Sequence, residues 1–169
     1  MNDAEQVKTF QAMAEVSRKW VTTLDAKAGF LVAINGALLG FVFSSAKLTD
    51  CPLHWVRVPA YVAAALALAS LLLAATVVFP RIKLDVSPSV GAVTFFAYVA
   101  SKYAEPDGKR FVVDVFAMSD RDLAREALEQ HHAISHVAMI KNTRVTHAST
   151  CWLGALIFTV GAVLIKAAG

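Results

Sequence analysis

The chain has 169 residues, of which 57% are hydrophobic and only 17% are charged, and its formal net charge is +3. A soluble domain carries about 25% charged residues, so this composition indicates an integral membrane protein. The positive residues are scattered, whereas nucleic-acid-binding proteins concentrate them on one face, so no nucleic acid partner is expected. The two cysteines, Cys51 and Cys151, lack metal-binding spacing. The topology predicted below places them on opposite sides of the membrane, where they do not pair.

Residues 1–27 are predicted to form an amphipathic helix that begins near Asp3. Apolar or small residues recur on one of its faces at helical spacing. They are Val7, Phe10, Met13, Ala14, Ser17, Trp20, Val21 and Leu24. Such a face packs on a neighbouring helix or lies on lipid. No proline separates this segment from the next apolar run, so the sequence is compatible with one continuous helix.

Residues 28–46 are the first predicted transmembrane helix. Within it, Gly36 and Gly40 form a GxxxG pattern, which favours close packing against another helix. Asn35 is the one strongly polar side chain in this run. It is expected either to make an interhelical hydrogen bond or to line a pore or a moving helix interface.

Residues 58–79 are the second and clearest predicted transmembrane helix, because residues 59–79 carry no charge. At about 1.5 Å per residue, a helix of this length crosses the apolar core of a bilayer, which is about 30 Å thick. Residues 47–57 form the loop between the first two spans. A third transmembrane helix is predicted at residues 149–168, where the sequence is again almost entirely apolar.

Residues 80–148 are predicted to form a helical insertion outside the membrane. The sequence indicates a helix after Ser87, a turn at residues 105–108 and a short helix at residues 109–118. The segment Ser119–Asp122 is a capping box, which begins a long helix that continues into the third span. The predicted fold class is therefore an all-α integral membrane protein with three transmembrane helices. The long helix would join the insertion mechanically to the membrane.

The distribution of basic residues predicts the orientation in the membrane. Thirteen of the sixteen Lys and Arg residues lie in residues 1–27 and in the insertion at residues 80–148. Cytoplasmic segments carry the excess of Lys and Arg, so both regions are expected to face the cytoplasm. The loop at residues 47–57 and the C-terminus then face the opposite side.

The sequence contains no pattern typical of an enzyme. It has no GxSxG, Walker or CxxC motif, and no carboxylate or lysine deep in a span, where proton-driven transporters keep them. Glu129, His131, His132 and His136 have the spacing of metal ligands on one helix. Because no second ligand cluster accompanies them, no metal site is predicted. We therefore expect neither catalytic residues nor a bound cofactor.

Short motifs spread over nearly the whole chain resemble the transmembrane effectors of Pycsar antiphage defence. They are Asp25-x-Lys27-Ala28 before the first span, Asn35-Gly36 within it, Phe79-Pro80 at the end of the second span, Phe95-Phe96 in the insertion, and Gln130, Ser135 and Lys141 before the third span. The resemblance implies a bacterial inner-membrane protein with a cytoplasmic N-terminus and a periplasmic C-terminus. It also implies activation by a cyclic pyrimidine mononucleotide, cUMP or cCMP, which a partner nucleotidyl cyclase makes during infection. The active effector then impairs the inner membrane and causes abortive infection.

Candidate ligand-binding residues combine positive charge for a phosphate with aromatic rings for a base. They are Asp25, Lys27, Phe95, Phe96, Tyr98, Lys102, Lys141 and Arg144. Asp25 and Lys27 lie two residues apart, so on a helix they face different directions and do not pair with each other. Each is expected to find a partner on another helix, a ligand or a lipid headgroup. Lysines at a membrane edge alternatively bind lipid phosphate.

Simple energetics predict a homo-oligomer. A ligand of about twenty heavy atoms binds with about −6 kcal/mol in total, at about −0.3 kcal/mol per atom. Shifting a two-state equilibrium from 1:99 to 99:1 takes about 5.5 kcal/mol of differential binding. Several coupled sites each supply only part of this, so we expect a tetramer or a larger assembly. The alternative function is a constitutive membrane scaffold or signalling subunit that binds a protein partner through its cytoplasmic helices.

Overall fold

The structure is a computed structural model that describes residues 3–79, 93, 99–100, 102–103 and 108–168. These residues contain helices and connecting turns, with no strand among them. Four α-helices are described, which we label α1 (Asp3–Gly40), α2 (His54–Val78), α3 (Gly108–Phe116) and α4 (Asp120–Ala168). A short π-helical segment, Phe41–Ser45, continues α1.

Two predictions about long helices are confirmed. The amphipathic N-terminal segment and the first apolar run form one helix, α1, which has 38 residues. The helix that begins after Ser119 continues through the last apolar run as α4, which has 49 residues. The short helix predicted at residues 109–118 is α3. The helix predicted after Ser87 lies outside the described residues.

Three of these helices are long and apolar enough to cross a membrane, namely Asp3–Ser45, His54–Val78 and Asp120–Ala168. The three predicted spans are therefore present as helices, and the protein is a membrane protein. The second begins earlier than predicted, at His54 instead of residue 58. Its first turn lies in the stretch assigned from the sequence to the loop.

The chain divides into two compact units, each of which combines two separate stretches of sequence. Unit 1 comprises Met1–Val21 and Arg81–Ala138, and unit 2 comprises Thr22–Pro80 and Met139–Gly169. The helices α1 and α4 contribute residues to both units. Unit 2 contains most of the apolar sequence of the three membrane helices.

In unit 2, seven of the eight buried residues of α2 recur at alternating intervals of four and three positions. They are Val56, Ala60, Ala63, Ala67, Ser70, Ala74 and Val77, and the eighth buried residue is Ala64. The α4 helix repeats the pattern with Val145, Ala148, Ala155, Thr159 and Ala162. A mean repeat of 3.5 residues is typical of left-handed knobs-into-holes packing. The small side chains in these seams allow the helix backbones to approach closely, as helix packing in lipid requires.

Gly154 shows how close this packing is. A Cβ atom at Gly154 of α4 would lie 3.1 Å from Cδ1 of Leu66 on α2, so a larger residue would displace that leucine. Gly36 and Gly40 differ, because a Cβ atom at either position would meet nothing within 4 Å. Among the described residues, the GxxxG face of α1 thus has open space at both glycines.

The end of unit 2 that holds the α1–α2 connection has its own small core. Val42, Leu48, Cys51, Val56, Ala60 and Ala162 form this buried cluster. Lys47 has φ of 45°, in the left-handed region, where the chain turns after the π-helical segment. The Nζ atom of Lys166 donates to the Ala46 carbonyl at 2.7 Å, which fixes the end of α4 to this turn. Cys51 and Cys151 are both free cysteines in the structure, Cys51 buried and Cys151 partly buried.

In unit 1, α4 begins at the predicted capping box, which the structure confirms. The Asp122 N–H donates to Ser119 Oγ at 3.3 Å, and the Ser119 N–H donates to Asp122 Oδ2 at 3.1 Å. The Ser119 hydroxyl also donates to the same carboxylate at 2.6 Å. These hydrogen bonds, first the one from the Ser119 side chain, lower the pKa of Asp122 below its ordinary value.

The lowered pKa of Asp122 predicts that the stability of the α4 N-terminal cap depends on pH. Replacing Asp122 by Asn should lower the hydrogen-exchange protection of the first-turn amides of α4 at neutral pH, because the charged acceptor is lost. Because the pKa of Asp122 is lower in the folded state, its carboxylate stabilises the first turn of α4 fully at pH values above the ordinary aspartate pKa. This stabilisation is lost as the pH falls through the pKa of the folded state. The difference in protection should therefore shrink as the pH is lowered from neutrality through and below the ordinary aspartate pKa. Asp120→Asn, in the same turn but outside the capping box, is the control, and an equal effect of both substitutions would contradict the prediction.

Candidate functional site

The first candidate site is a polar cluster in the middle of the membrane helices. Nδ2 of Asn35 donates to the Leu31 carbonyl at 2.7 Å and to Ser70 Oγ at 2.8 Å. The Ser70 hydroxyl in turn donates to the Ala148 carbonyl at 2.7 Å. Asn35 and Ser70 are fully buried, and these bonds connect α1, α2 and α4. Asn35 therefore makes an interhelical hydrogen bond, one of the two roles expected for it.

The carbonyl oxygen of Asn35 is buried in the same cluster and has no hydrogen-bond partner among the described residues. An unpaired polar atom in an apolar interior is unfavourable by about 1–3 kcal/mol. The cluster therefore contains two hydrogen bonds between helices and one within α1. It also contains one buried acceptor that has no partner among the described residues.

A second polar group lies about two turns from this cluster along α4. The Lys141 ammonium forms an ion pair with the carboxylate of Asp25. Arg144 donates from Nη1 to the Thr76 carbonyl at 3.2 Å, near the C-terminal end of α2, where helix carbonyls lack helical partners. The Lys141 side chain is only 18% exposed. Asp25 thus has a partner on another helix of unit 2, which is one of the outcomes expected for it, and Arg144 contacts α2.

Lys27 lies apart from that ion pair, on the wall of an apolar groove of about 500 Å³ in unit 2. The groove is formed by α1 and α4. Its other lining residues are Thr23, Ala26, Phe30, Leu31, Ile34, Val145, Ser149, Trp152 and Leu153. A single cation beside apolar and aromatic side chains suits a lipid better than a base or a sugar, because those need several polar contacts.

Lys102 belongs to unit 1 and faces an acidic and aromatic group. Its Nζ lies 3.9 Å from Asp114 Oδ2 and 5.0 Å from the ring centroid of Tyr103. The Tyr103 hydroxyl donates to the same carboxylate at 2.7 Å, and its ring meets that of Phe111 edge-on at 5.2 Å. The other three predicted ligand residues, Phe95, Phe96 and Tyr98, lie outside the described residues.

The structure adds a polar cleft in unit 1 that the sequence analysis did not identify. It has a volume of about 420 Å³ and lies between α1 and α4. Its lining residues are Lys8, Gln11, Ala12, Ala14, Glu15, Arg18, Leu123, Glu126, Ala127 and Gln130. Among the predicted residues only Gln130, noted in the motif comparison, belongs to it. The available signal was Glu126, a carboxylate between the small residue Ala127 and Arg125 on the long helix.

A chain of hydrogen bonds crosses one end of this cleft. Arg18 donates from Nη2 to the Gln130 side-chain carbonyl, and Gln130 donates from Nε2 to Glu126 Oε1 at 3.1 Å. Glu126 is only 3% exposed, so this carboxylate is held inside the helix interface. Ser17 and His131 are hydrogen-bonded beside it, with 2.8 Å between Oγ and Nδ1. A buried charge is stable only when it is paired or hydrogen-bonded, and here Gln130 provides a hydrogen bond.

The histidines do not assemble a metal site in the part of the chain that the structure describes. No group of three His, Cys, Asp or Glu side chains lies close enough to hold an ion there. His131 is hydrogen-bonded to Ser17, and the rings of His132 and His136 lie 4.7 Å apart in a tilted arrangement.

The family model of the Pycsar effector protein domain, PycTM, matches residues 9–167. The match covers almost the whole chain, including the apolar runs of the membrane helices and every lining residue of the unit 1 cleft except Lys8. The chain belongs to the Pycsar effector family. This Pycsar effector is therefore a transmembrane helical protein of antiviral defence. No curated protein and no solved structure matched the chain significantly.

Ser70 of the effector provides a direct test of the polar cluster. Ser70→Ala removes both the acceptor for Asn35 and the donor to the Ala148 carbonyl, so it should lower the free energy of unfolding in detergent or bicelles. Interhelical hydrogen bonds in lipid contribute about 0.6 kcal/mol on average and up to about 1.7 kcal/mol, so a loss of about 1 kcal/mol is expected.

Ser149→Ala is the matched control for that substitution. Ser149 lies on α4 and donates only within its own helix in the bond that the structure records, to the Val145 carbonyl at 2.8 Å. It should change the free energy of unfolding by less than Ser70→Ala. Equal losses for the two variants would show that the bonds between helices are not what stabilises unit 2.

Proposed function

We propose that this Pycsar effector is activated by a cyclic pyrimidine mononucleotide, cUMP or cCMP, and then impairs the bacterial inner membrane. The infected cell stops growing or dies before phage mature, which is abortive infection. The observation that carries the proposal is the family match over residues 9–167, together with three helices able to cross a membrane. In this proposal the nucleotide comes from a partner nucleotidyl cyclase.

The proposed orientation has the N-terminus and the insertion at residues 80–148 in the cytoplasm. The distribution of Lys and Arg supports it. The C-terminus and the loop at residues 47–57 then face the periplasm. A cytoplasmic unit 1 is the arrangement that a ligand made inside the cell requires.

The proposed effector acts by binding and rearrangement, without a catalytic step or a cofactor. The helices α1 and α4 supply residues both to unit 1 and to unit 2, so a ligand held by unit 1 acts on the same helices that form the spans. The ion pair between Asp25 and Lys141 and the bonds of Ser70 stabilise the resting packing of unit 2. Activation would exchange these contacts for others, and the unpaired Asn35 oxygen would find a partner.

We also propose that the effector is a homo-oligomer of four or more subunits. One site of ordinary affinity has too little binding energy to shift the equilibrium alone, whereas several coupled sites share the requirement. Gly36 and Gly40 support this proposal, because their face is exposed and has open space within the chain. Small residues at this spacing permit close contact with a helix of another copy.

One observation favours the second candidate function, a membrane scaffold or signalling subunit that binds a protein partner. The helix α3 exposes Val112, Val113 and Phe116 on one face, and Phe116 is 87% exposed. Exposed apolar groups on one face are typical of a surface that another protein covers. A constitutive scaffold would keep this surface occupied without any nucleotide.

Vesicle leakage separates the two functions. The purified protein should be reconstituted into dye-filled vesicles of bacterial phospholipids, and cUMP, cCMP, cAMP or cGMP added from outside, where correctly oriented copies expose unit 1. We expect dye release with a cyclic pyrimidine nucleotide and little with the purine nucleotides. Silence with both pyrimidine nucleotides, in vesicles that contain folded protein, would contradict the proposed activation and support the scaffold function.

The oligomer proposal predicts an effect at the GxxxG face. A Cβ atom at Gly36 would meet nothing within 4 Å among the described residues, so Gly36→Leu adds bulk on an open face of α1. The fold should persist while contact between copies weakens. The measurement is the mass of the detergent-solubilised protein by light scattering, with and without cCMP and cUMP. Wild-type protein that is monomeric under all of these conditions would refute the proposal, and an unchanged Gly36→Leu assembly would exclude this face as the interface.

A further inference from the structure

The groove of unit 2 that contains Lys27 has a polar end and an apolar end. Its volume of about 500 Å³ lies within the usual range for ligand sites, which is about 300–1,000 Å³. The residues of its α1 wall recur every three to four positions, so they lie on one face of that helix. In chain order they are Thr23, Ala26, Lys27, Phe30, Leu31 and Ile34. The hydroxyl and the ammonium therefore come first along α1, and the large apolar side chains follow.

The helices α1 and α4 run parallel in unit 2, so both walls of the groove have the same direction. Asp25 is paired with Lys141, and Ala46, just after the π-helical continuation of α1, is bonded to Lys166. Higher residue numbers thus lie toward the same end on both helices. The α4 wall consists of Val145, Ser149, Trp152 and Leu153. Its hydroxyl therefore precedes its tryptophan and leucine, as the polar residues precede the apolar ones on α1.

The polar end of the groove lies where both helices enter the apolar layer. Lys27 is the last charged residue of α1, because residues 28–46 carry no charge. No Asp, Glu, Lys or Arg occurs between Arg144 and Lys166 of α4. Trp152 suits this boundary, since tryptophan is enriched at the interface between membrane and water. The groove therefore begins at the headgroups and continues among the acyl chains of one leaflet.

The charge of Lys27 requires an anion that the described part of the chain does not supply. The residue is exposed, and it takes part in none of the ion pairs among the described residues. Asp25, the nearest carboxylate in the sequence, is paired with Lys141. Residues 28–46, 59–79 and 145–165 contain no Asp or Glu, so the apolar runs of a second copy would offer no partner either. The phosphate of a phospholipid supplies the missing anion at this depth.

The apolar wall of the groove is open to the surrounding lipid. Phe30 is 66% exposed and Leu153 is 51% exposed, while Trp152 is half-buried. In a protein that spans a membrane, such side chains contact acyl chains. The charge of Lys27 then selects among headgroups. A zwitterionic headgroup carries its own cation, which repels the lysine, whereas an anionic headgroup keeps a net negative charge.

We propose that this groove binds one anionic phospholipid. Lys27 pairs with the lipid phosphate, and one acyl chain lies along Phe30, Ile34 and Leu153. The bound lipid contacts α1 and α4 together, which are the two helices that contribute residues to both units. The proposal depends on the three membrane helices and not on activation by a nucleotide, so it can fail independently of the function proposed above.

The experiment measures how phospholipids with brominated acyl chains quench the fluorescence of Trp152. Trp20 and Trp55, which are 59% and 79% exposed, are replaced by Phe, so that Trp152 is the only tryptophan of the full-length chain. This variant is reconstituted into vesicles that contain brominated phosphatidylglycerol or brominated phosphatidylcholine with the same acyl chains. Comparison of the two quenching curves gives the preference of the groove for the anionic lipid.

We expect the groove to prefer phosphatidylglycerol by about fivefold, the factor that one cation contributes at an anionic membrane surface. Lys27→Ala should abolish the preference, whereas Lys27→Arg should retain it because the charge is kept. Lys19→Ala is the matched control. Lys19 is an exposed cation of α1 that lies eight positions before Lys27 and does not line the groove, so its loss should leave the preference unchanged.

Three results would overturn the proposal. The first is equal quenching by both lipids, or a preference that survives Lys27→Ala. The second is an equal loss of preference in Lys19→Ala, which would show a general attraction to the charged surface instead of a site. The third is a Trp152 that no brominated lipid quenches, which would show that another copy or another protein covers the groove.

Native mass spectrometry tests the same preference without the tryptophan substitutions. Wild-type protein in detergent is mixed with equal amounts of phosphatidylglycerol and phosphatidylethanolamine. We expect it to retain more phosphatidylglycerol than Lys27→Ala does, and circular dichroism verifies that the variant is folded. Equal retention by the two proteins would contradict the role of Lys27.

Discussion

The hydrogen bonds from Asn35 to Ser70 and from Ser70 to the Ala148 carbonyl are the contacts on which the membrane unit depends most. Between helices in lipid there is no hydrophobic driving force, because the lipid tails are as apolar as the side chains. Association then relies on close packing of small residues and on polar contacts between helices. The alanine-rich seams of α2 and α4 provide the first, and the Ser70 cluster provides the second at the point where three helices meet. One hydroxyl, that of Ser70, thus connects α1 to α4 through α2.

The cations near the spans divide into groups with different surroundings. Lys141 and Arg144 are engaged with Asp25 and with the end of α2, so their positions are explained without any ligand. Lys27 faces an apolar groove that suits lipid. By contrast, Lys8 and Arg18 line a polar cleft together with a buried carboxylate. Charge alone does not distinguish these cases, whereas the side chains that surround each cation do.

Much of the helical structure is visible in the sequence, because it depends on local rules. The uncharged run before Phe79 and the Ser119–Asp122 capping box define α2 and the start of α4. The predicted apolar face of the N-terminal helix was too broad, however. Ala14 and Ser17 are buried, whereas Met13 and Trp20 are largely exposed. Helical spacing identifies an apolar stripe that covers about one third of the helix circumference. Which residues of this stripe are buried depends on where the neighbouring helix packs.

The sequence by itself determined that this is a three-span helical membrane protein, since length, hydropathy and caps are properties of contiguous residues. It also contained the motifs by which the family is recognised. Only the tertiary structure decided which polar groups meet. Asp25 and Lys141 are 116 residues apart, and Arg18 and Gln130 are 112 residues apart, so their pairing follows from how α1 packs on α4. No local pattern encodes that packing, because it results from the combined shape of small and large side chains along both helices.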